Sequence, residues 1–255
     1  MNQQKKLSIH AIFKLFLFDL KSNYKNSKLK YLWDFAPNIA TALIWILIFE
    51  GGFLRIGNST ENYHIFVLQG LFLWQFVIDI INKPIAKTNQ YTSVLKNHPR
   101  NIFTTFGIAF FESIYLLAGK FIILFCVLLF TESFSILNFI NAVLLSIPLI
   151  IFSTIFSFLL LPFLLSSKDI YGTQKMLFSL LFYLSGIVFP IPKSYELYMI
   201  LNPFYQLINI SKAFLNQNIT TNYPVCLIYL SFIILSFLLL KKKYSTINQK
   251  ISEIL

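Results

Sequence analysis

Residues 64–84 read HIFVLQGLFLWQFVIDIINKP. From His64 to Asn82 the run is almost wholly apolar, and it stops at Lys83-Pro84. A helix of about 20 apolar residues spans the hydrocarbon core of a bilayer. A polar, basic stretch follows to about residue 101, and a short polar loop precedes the run at 55–63. This alternation of long apolar runs and short polar blocks repeats along the chain.

Working outward, the apolar runs predict spans at about 36–55, 64–82, 103–130, 138–165, 176–189 and 223–240. Pro37 suits a first helical turn, and Trp33 suits an interfacial aromatic belt. Composition agrees with this class. The chain is 56% hydrophobic and 12% charged, with mean hydropathy +0.68. Soluble domains carry about 25% charged residues, so too little charge is left to cover a water-facing surface. The expected fold is therefore all-α: a single polytopic membrane domain over residues 1–255 with six transmembrane helices.

The net charge of +11 does not point to nucleic acid. The basic residues sit at the edges of apolar runs, where anionic lipid headgroups lie. Residues 7–25 read as an amphipathic interfacial helix. His10, Lys14, Lys21 and Lys25 share one face, and Ile9, Ile12, Phe13, Phe16 and Leu20 occupy the other. Lys14 and Asp19 interrupt this stretch and no small-residue cleavage site follows, so it is not read as a signal peptide.

Counting Lys and Arg beside the spans sets the orientation. Segments 1–35, 83–102, 166–175 and 241–255 hold 17, whereas 55–63, 131–137 and 190–222 hold 3. The first set is expected in the cytoplasm, with both termini. Lys241, Lys242 and Lys243 then require an even number of spans. Residues 190–215, broken by Pro190, Pro192 and Pro203, are expected as a re-entrant outer hairpin between spans 5 and 6. Irregular backbone at membrane depth needs protein or water around it. The hairpin therefore reads as an outer gate, with Tyr195, Tyr198 and Phe204 as its candidate aromatic contacts.

Two charges fall in the third run. Lys120 lies near mid-bilayer, and Glu112 is eight residues away, about 12 Å along the helix and too far to pair with it. Lys120 either snorkels or pairs with another span, or it faces a hydrated path, because charges in spans turn to the bundle interior. Both residues are candidates for the translocation path. The connection 84–101 mixes Tyr91, Val94 and Leu95 with Lys87, Lys96 and Arg100. It suits a short cytoplasmic helix that touches a partner.

Catalytic chemistry is not expected. The three histidines, His10, His64 and His98, lie at edges or in loops. No His-Glu-x-x-His, Cys-x-x-Cys or Gly-x-Ser-x-Gly pattern occurs. The two cysteines, Cys126 and Cys226, sit in apolar runs, and neither a metal nor a cofactor site is expected. No Gly-x-x-x-x-Gly-Lys loop is present, so energy for transport would come from a partner or an ion.

The order of these features resembles the permease subunits of ABC-2-type exporters of capsular polysaccharide, O-antigen or teichoic acid. An interfacial helix leads into Ser27-Lys28-Leu29-Lys30-Tyr31-Leu32-Trp33 and Pro37, similar to the family's Leu-Gly-x-Leu-Trp pattern with a later Pro. Lys30 stands where Gly is usual. Leu68-Gln69-Gly70, Lys168-Asp169, Phe189-Pro190-Ile191 and Asn202-Pro203 resemble further family motifs in their order. The spacing around Val94 to Pro99 and Glu112 looks most like the capsule exporters.

The resemblance implies a homodimer in the cytoplasmic membrane bound to two copies of a separate ATPase. That partner would bind ATP and Mg, and the cargo would be a lipid-linked or lipid-anchored glycan. The coupling residues would be Tyr91, Val94, Leu95, Lys96 and Arg100. An ABC-2 permease for another lipid or a drug-like molecule would share this fold. A membrane-embedded transferase would need a catalytic constellation that the sequence lacks.

Overall fold

The computed structural model describes residues 9–24, 30–50, 63–91, 102–129, 135–189, 191 and 201–215, with a few positions between 227 and 238. Among these residues there is helix and no strand. The elements are α1 (Ile9–Tyr24), α2 (Lys30–Glu50), α3 (Tyr63–Gln90), α4 (Ile102–Leu128), α5 (Ile136–Leu144), α6 (Ile147–Ser166), α7 (Lys168–Leu184) and α8 (Pro203–Lys212). Three helical stretches are long and apolar enough to cross a bilayer: Tyr63–Gln90, Phe103–Leu128 and Ile136–Ser166. The expected span at 223–240 falls almost wholly outside the described residues, as do 92–101 and 192–200.

α3 is the centre. From Ile65 to Trp74 it is enclosed on every side, and Phe66, Phe72 and Phe76 are fully buried. α4 runs antiparallel beside it. Thr88 meets Thr105, Lys87 meets Glu112 and Asp79 meets Lys120, so numbers rise on one helix as they fall on the other. α1 lies across the Ile102 end of α4. Ile12 and Phe16 are buried there with Ile108, and Phe111 and Tyr115 pack alongside. Gly107 makes room for this crossing, since a Cβ on it would come 2.7 Å from Ile12 Cγ2. The faces of α1 are thus divided: Ile12 and Phe16 go to protein, and His10, Lys14 and Lys21 stay exposed.

Helix boundaries differ from the sequence expectation at four places. α2 begins at Lys30, so Pro37 lies inside the helix and not in its first turn. α3 continues through Lys83-Pro84 to Gln90. Pro84 cannot donate to the carbonyl of Ile80, which would normally leave that oxygen bare. Ser157 of α6 donates its hydroxyl to Ile80 O at 2.5 Å, and the helix carries on. The expected span 138–165 is broken between α5 and α6. There Ser146 N bonds to Val143 O and not to Ala142 O, and the freed Ala142 carbonyl accepts from Ser211 of α8 at 2.7 Å. Hydroxyls from neighbouring helices are how breaks at membrane depth become tolerable. Finally, the expected polar connection 166–175 is mostly helical. Ser167 caps α7 by accepting from Asp169 N at 3.2 Å.

Candidate functional site

Among the described residues, the buried charged side chains gather in two places. The first lies between α1, α3 and α4. Gln75, Asp79, Lys83, Lys87 and Tyr91 follow one another at a spacing of four, which puts them along one side of α3 and its end. Lys120 of α4 is buried to 1% and lies 3.2 Å from Asp79. Gln75 Nε2 also donates to Asp79, at 3.2 Å.

Toward the Gln90 end, Lys83 Nζ donates to Glu112 Oε1 at 2.6 Å. Lys87 Nζ lies 2.9 Å from Glu112 Oε2 and also donates to Asp19 of α1. The hydroxyl of Tyr91 donates to the other Asp19 oxygen at 3.1 Å. Burial, and then the Asp19 carboxylate, raises the Tyr91 phenol above its ordinary value, so it stays a donor. Three acids thus face three lysines. Pairing of this kind is what makes charges bearable at such depth.

Of the two expectations for Lys120, the structure supplies the pair with another helix. Glu112 is far from Lys120, as its spacing requires, and pairs with α3. Tyr91 and Glu112, assigned separately to coupling and to the path, meet in one cluster. Val94, Leu95, Lys96 and Arg100 lie outside the described residues. Asp19, Asp79, Lys83 and Lys87 were missed as site residues. The repeat of four in α3, matched by the spacing of eight between Glu112 and Lys120, was the available signal.

The second gathering lies where α8 meets α3 and the turn after α7. Asn202 caps α8 by accepting from Phe204 N and Tyr205 N, while its amide donates to Leu184 O and Ser185 Oγ. The chain turns at Gly186, which adopts φ +58°, a conformation that suits glycine. Lys212 is fully buried. Its ammonium donates to Gly186 O and Ile187 O, both at 2.9 Å, and sits 3.6 Å over the Phe66 ring. Beside it, Gln69 donates to both oxygens of Ser211.

Phe204 was expected as a contact for cargo. It is buried among Trp74, Phe152, Phe156 and Phe178 at centroid distances of 5.3–5.9 Å. The structure gives it a packing place and not an exposed one. Tyr195 and Tyr198 lie outside the described residues. Among the described residues no three of His, Cys, Asp and Glu gather as a metal site.

No protein-family model matches the chain. It is 27% identical over 221 residues to the polysialic acid transport protein KpsM of Escherichia coli, covering 82% of this chain and 84% of that protein. It is 41% identical over 58 residues to the O-antigen export system permease protein RfbA of Klebsiella pneumoniae, covering 23% of this chain and 21% of that protein. The chain is thus similar along most of its length to a polysialic acid transport protein and over a shorter stretch to an O-antigen export permease.

Proposed function

We propose that the chain is the transmembrane subunit of an ATP-driven exporter that moves a lipid-linked or lipid-anchored polysaccharide, of capsule or O-antigen type, across the cytoplasmic membrane. The observation that carries this is the similarity to a polysialic acid transport protein across 82% of the chain. The helices long and apolar enough to span a bilayer support the membrane part of the reading. Disruption of the gene is expected to strip the cell of a surface polysaccharide and leave the polymer inside. Unaltered surface polysaccharide, measured against a complemented strain, overturns the assignment.

In this reading the chain pairs with a second copy and with a separate ATPase that binds ATP and Mg. The 17-to-3 division of Lys and Arg puts both termini and the Gln90 end of α3 in the cytoplasm. α1 then lies at the inner membrane surface, with His10, Lys14 and Lys21 toward headgroups. The outer hairpin at 190–215 forms the exit gate, with Tyr195 and Tyr198 as its aromatic contacts.

Coupling runs through the segment that follows Tyr91. Tyr91, Val94, Leu95, Lys96 and Arg100 meet the ATPase there, and the Asp19–Lys87–Glu112 cluster ties that point to three helices. Reversing the charges of Lys96 and Arg100 together with Leu95→Asp is expected to abolish export-coupled ATP hydrolysis while the protein still inserts. Normal export by the triple variant removes this segment from the mechanism.

A further inference from the structure

α3 has an open side in only one half. Past Trp74, its buried residues take up every direction around the axis except one stripe. Between Gln75 and Ala86 the half-buried or exposed positions are Gln75, Ile78, Asp79, Asn82, Lys83 and Ala86, which recur at the spacing of one helical face. Four of those six carry amide, carboxylate or ammonium groups. In the outer half the same face is closed by Leu68, Leu71 and Phe72, exposed to 7%, 8% and 1%. The opening therefore begins near mid-membrane and widens toward the Gln90 end. From Gln75 to Ala86 it runs about 16 Å along the axis.

Lipid is a poor partner for this stripe. Asp79 and Lys83 keep 14% and 22% of their side chains accessible, and polar groups within spans turn to the bundle interior or to water. Asn82 adds a half-buried amide to the stripe. Lys120 neutralises Asp79 from behind, which leaves the stripe rich in hydrogen-bonding groups and low in net charge. That chemistry fits a polyhydroxylated chain better than an apolar molecule.

We infer that the open stripe of α3, Gln75 to Ala86, lines a hydrated vestibule in the cytoplasmic half of the membrane and binds the hydroxyl groups of the entering glycan. The inference rests on the export reading above. It is tested in the complete permease–ATPase complex in inverted membrane vesicles, with Cys126 and Cys226 replaced by alanine. Single cysteines are introduced as Gln75→Cys, Asn82→Cys, Ala86→Cys and, above the closure, Leu71→Cys.

A membrane-impermeant thiol reagent added to the cytoplasmic face is expected to label the first three and not the fourth. The polymer exported by the same strain is expected to abolish labelling at 75 and 82. Reaction of those two only with a lipid-soluble maleimide places the stripe against lipid and overturns the vestibule. A disulfide between copies at 75 or 82 makes the face a dimer contact, and labelling unchanged by polymer makes it a water path without cargo. Either result overturns the inference. Loss of the export reading itself shows separately, as unaltered surface polysaccharide in the gene disruption.

Discussion

Lys87→Met is expected to destabilise the protein by about 3–5 kcal/mol, the range seen when one partner of a buried ion pair is removed. Lys87 has 8% of its side chain exposed, as does Asp19. Its ammonium serves two carboxylates, Asp19 and Glu112. Without it, Glu112 retains Lys83, but among the described residues Asp19 is left with the Tyr91 hydroxyl. A buried carboxylate without a cation favours the undocked state of α1, because water then solvates it. Methionine preserves most of the volume, so the loss is electrostatic and not a cavity.

The check is thermal unfolding of the detergent-solubilised protein, with a fall in midpoint of roughly 10 °C. Adding Asp19→Asn to Lys87→Met removes the stranded charge and is expected to recover more than half of the loss. A double variant no more stable than Lys87→Met alone would mean that Asp19 and Lys87 do not form the pair described. Lys83→Met is the internal comparison. Lys83 and Glu112 keep 22% and 21% exposure, and Glu112 retains Lys87, so the loss there is expected to be about 1 kcal/mol.

The all-helical class was legible because apolar runs long enough to span a bilayer mark helices; the sides that the asymmetry of lysine assigns to the connecting segments belong to the proposed reading. The points that were not legible all involve a residue whose partner is far away in sequence. Lys83-Pro84 reads locally as a helix end, because charge follows apolar residues and proline follows charge. It is a helix interior because Ser157, 77 residues on, donates to the carbonyl that Pro84 frees. The break after Leu144 carries no glycine, and its loose carbonyl is met by Ser211, 69 residues away. Lys212 reads as one more loop charge and is instead fully buried. The ion cluster is the intermediate case. Its members announce themselves by a spacing of four on α3, but the sign of each partner on α1 and α4 becomes visible only when the helices are side by side.

The motif Leu68-Gln69-Gly70 acquires a physical reason at that same outer junction, and a second large effect follows from it. α8 and the turn after α7 come so close to α3 that no Cβ fits at position 70. A Cβ built there would lie 2.5 Å from Lys212 Nζ and 2.6 Å from Ile187 O. The first contact involves the end of a flexible side chain. The second involves backbone just after Gly186, whose positive φ fixes the turn. Gly70→Ala must therefore shift either the turn or the ammonium that bridges Gly186 O and Ile187 O.

Overfilling a packed interior costs about 1–3 kcal/mol, and each charge-assisted hydrogen bond weakened costs about 1.5–3 kcal/mol more. The expected sum for this single methyl group is about 3 kcal/mol or more, read as a fall of roughly 5–10 °C in unfolding midpoint. Export is expected to fall with the amount of folded protein. The double variant Gly70→Ala with Lys212→Ala separates the two contacts, because it removes both Lys212 atoms, Nζ and Cε, that a Cβ at position 70 would meet. It leaves the contact with Ile187 O, so it is expected to stay well below the parent. Full recovery of both midpoint and export in the double variant would show that the backbone at Ile187 yields freely, and that Gly70 is required only to make room for Lys212.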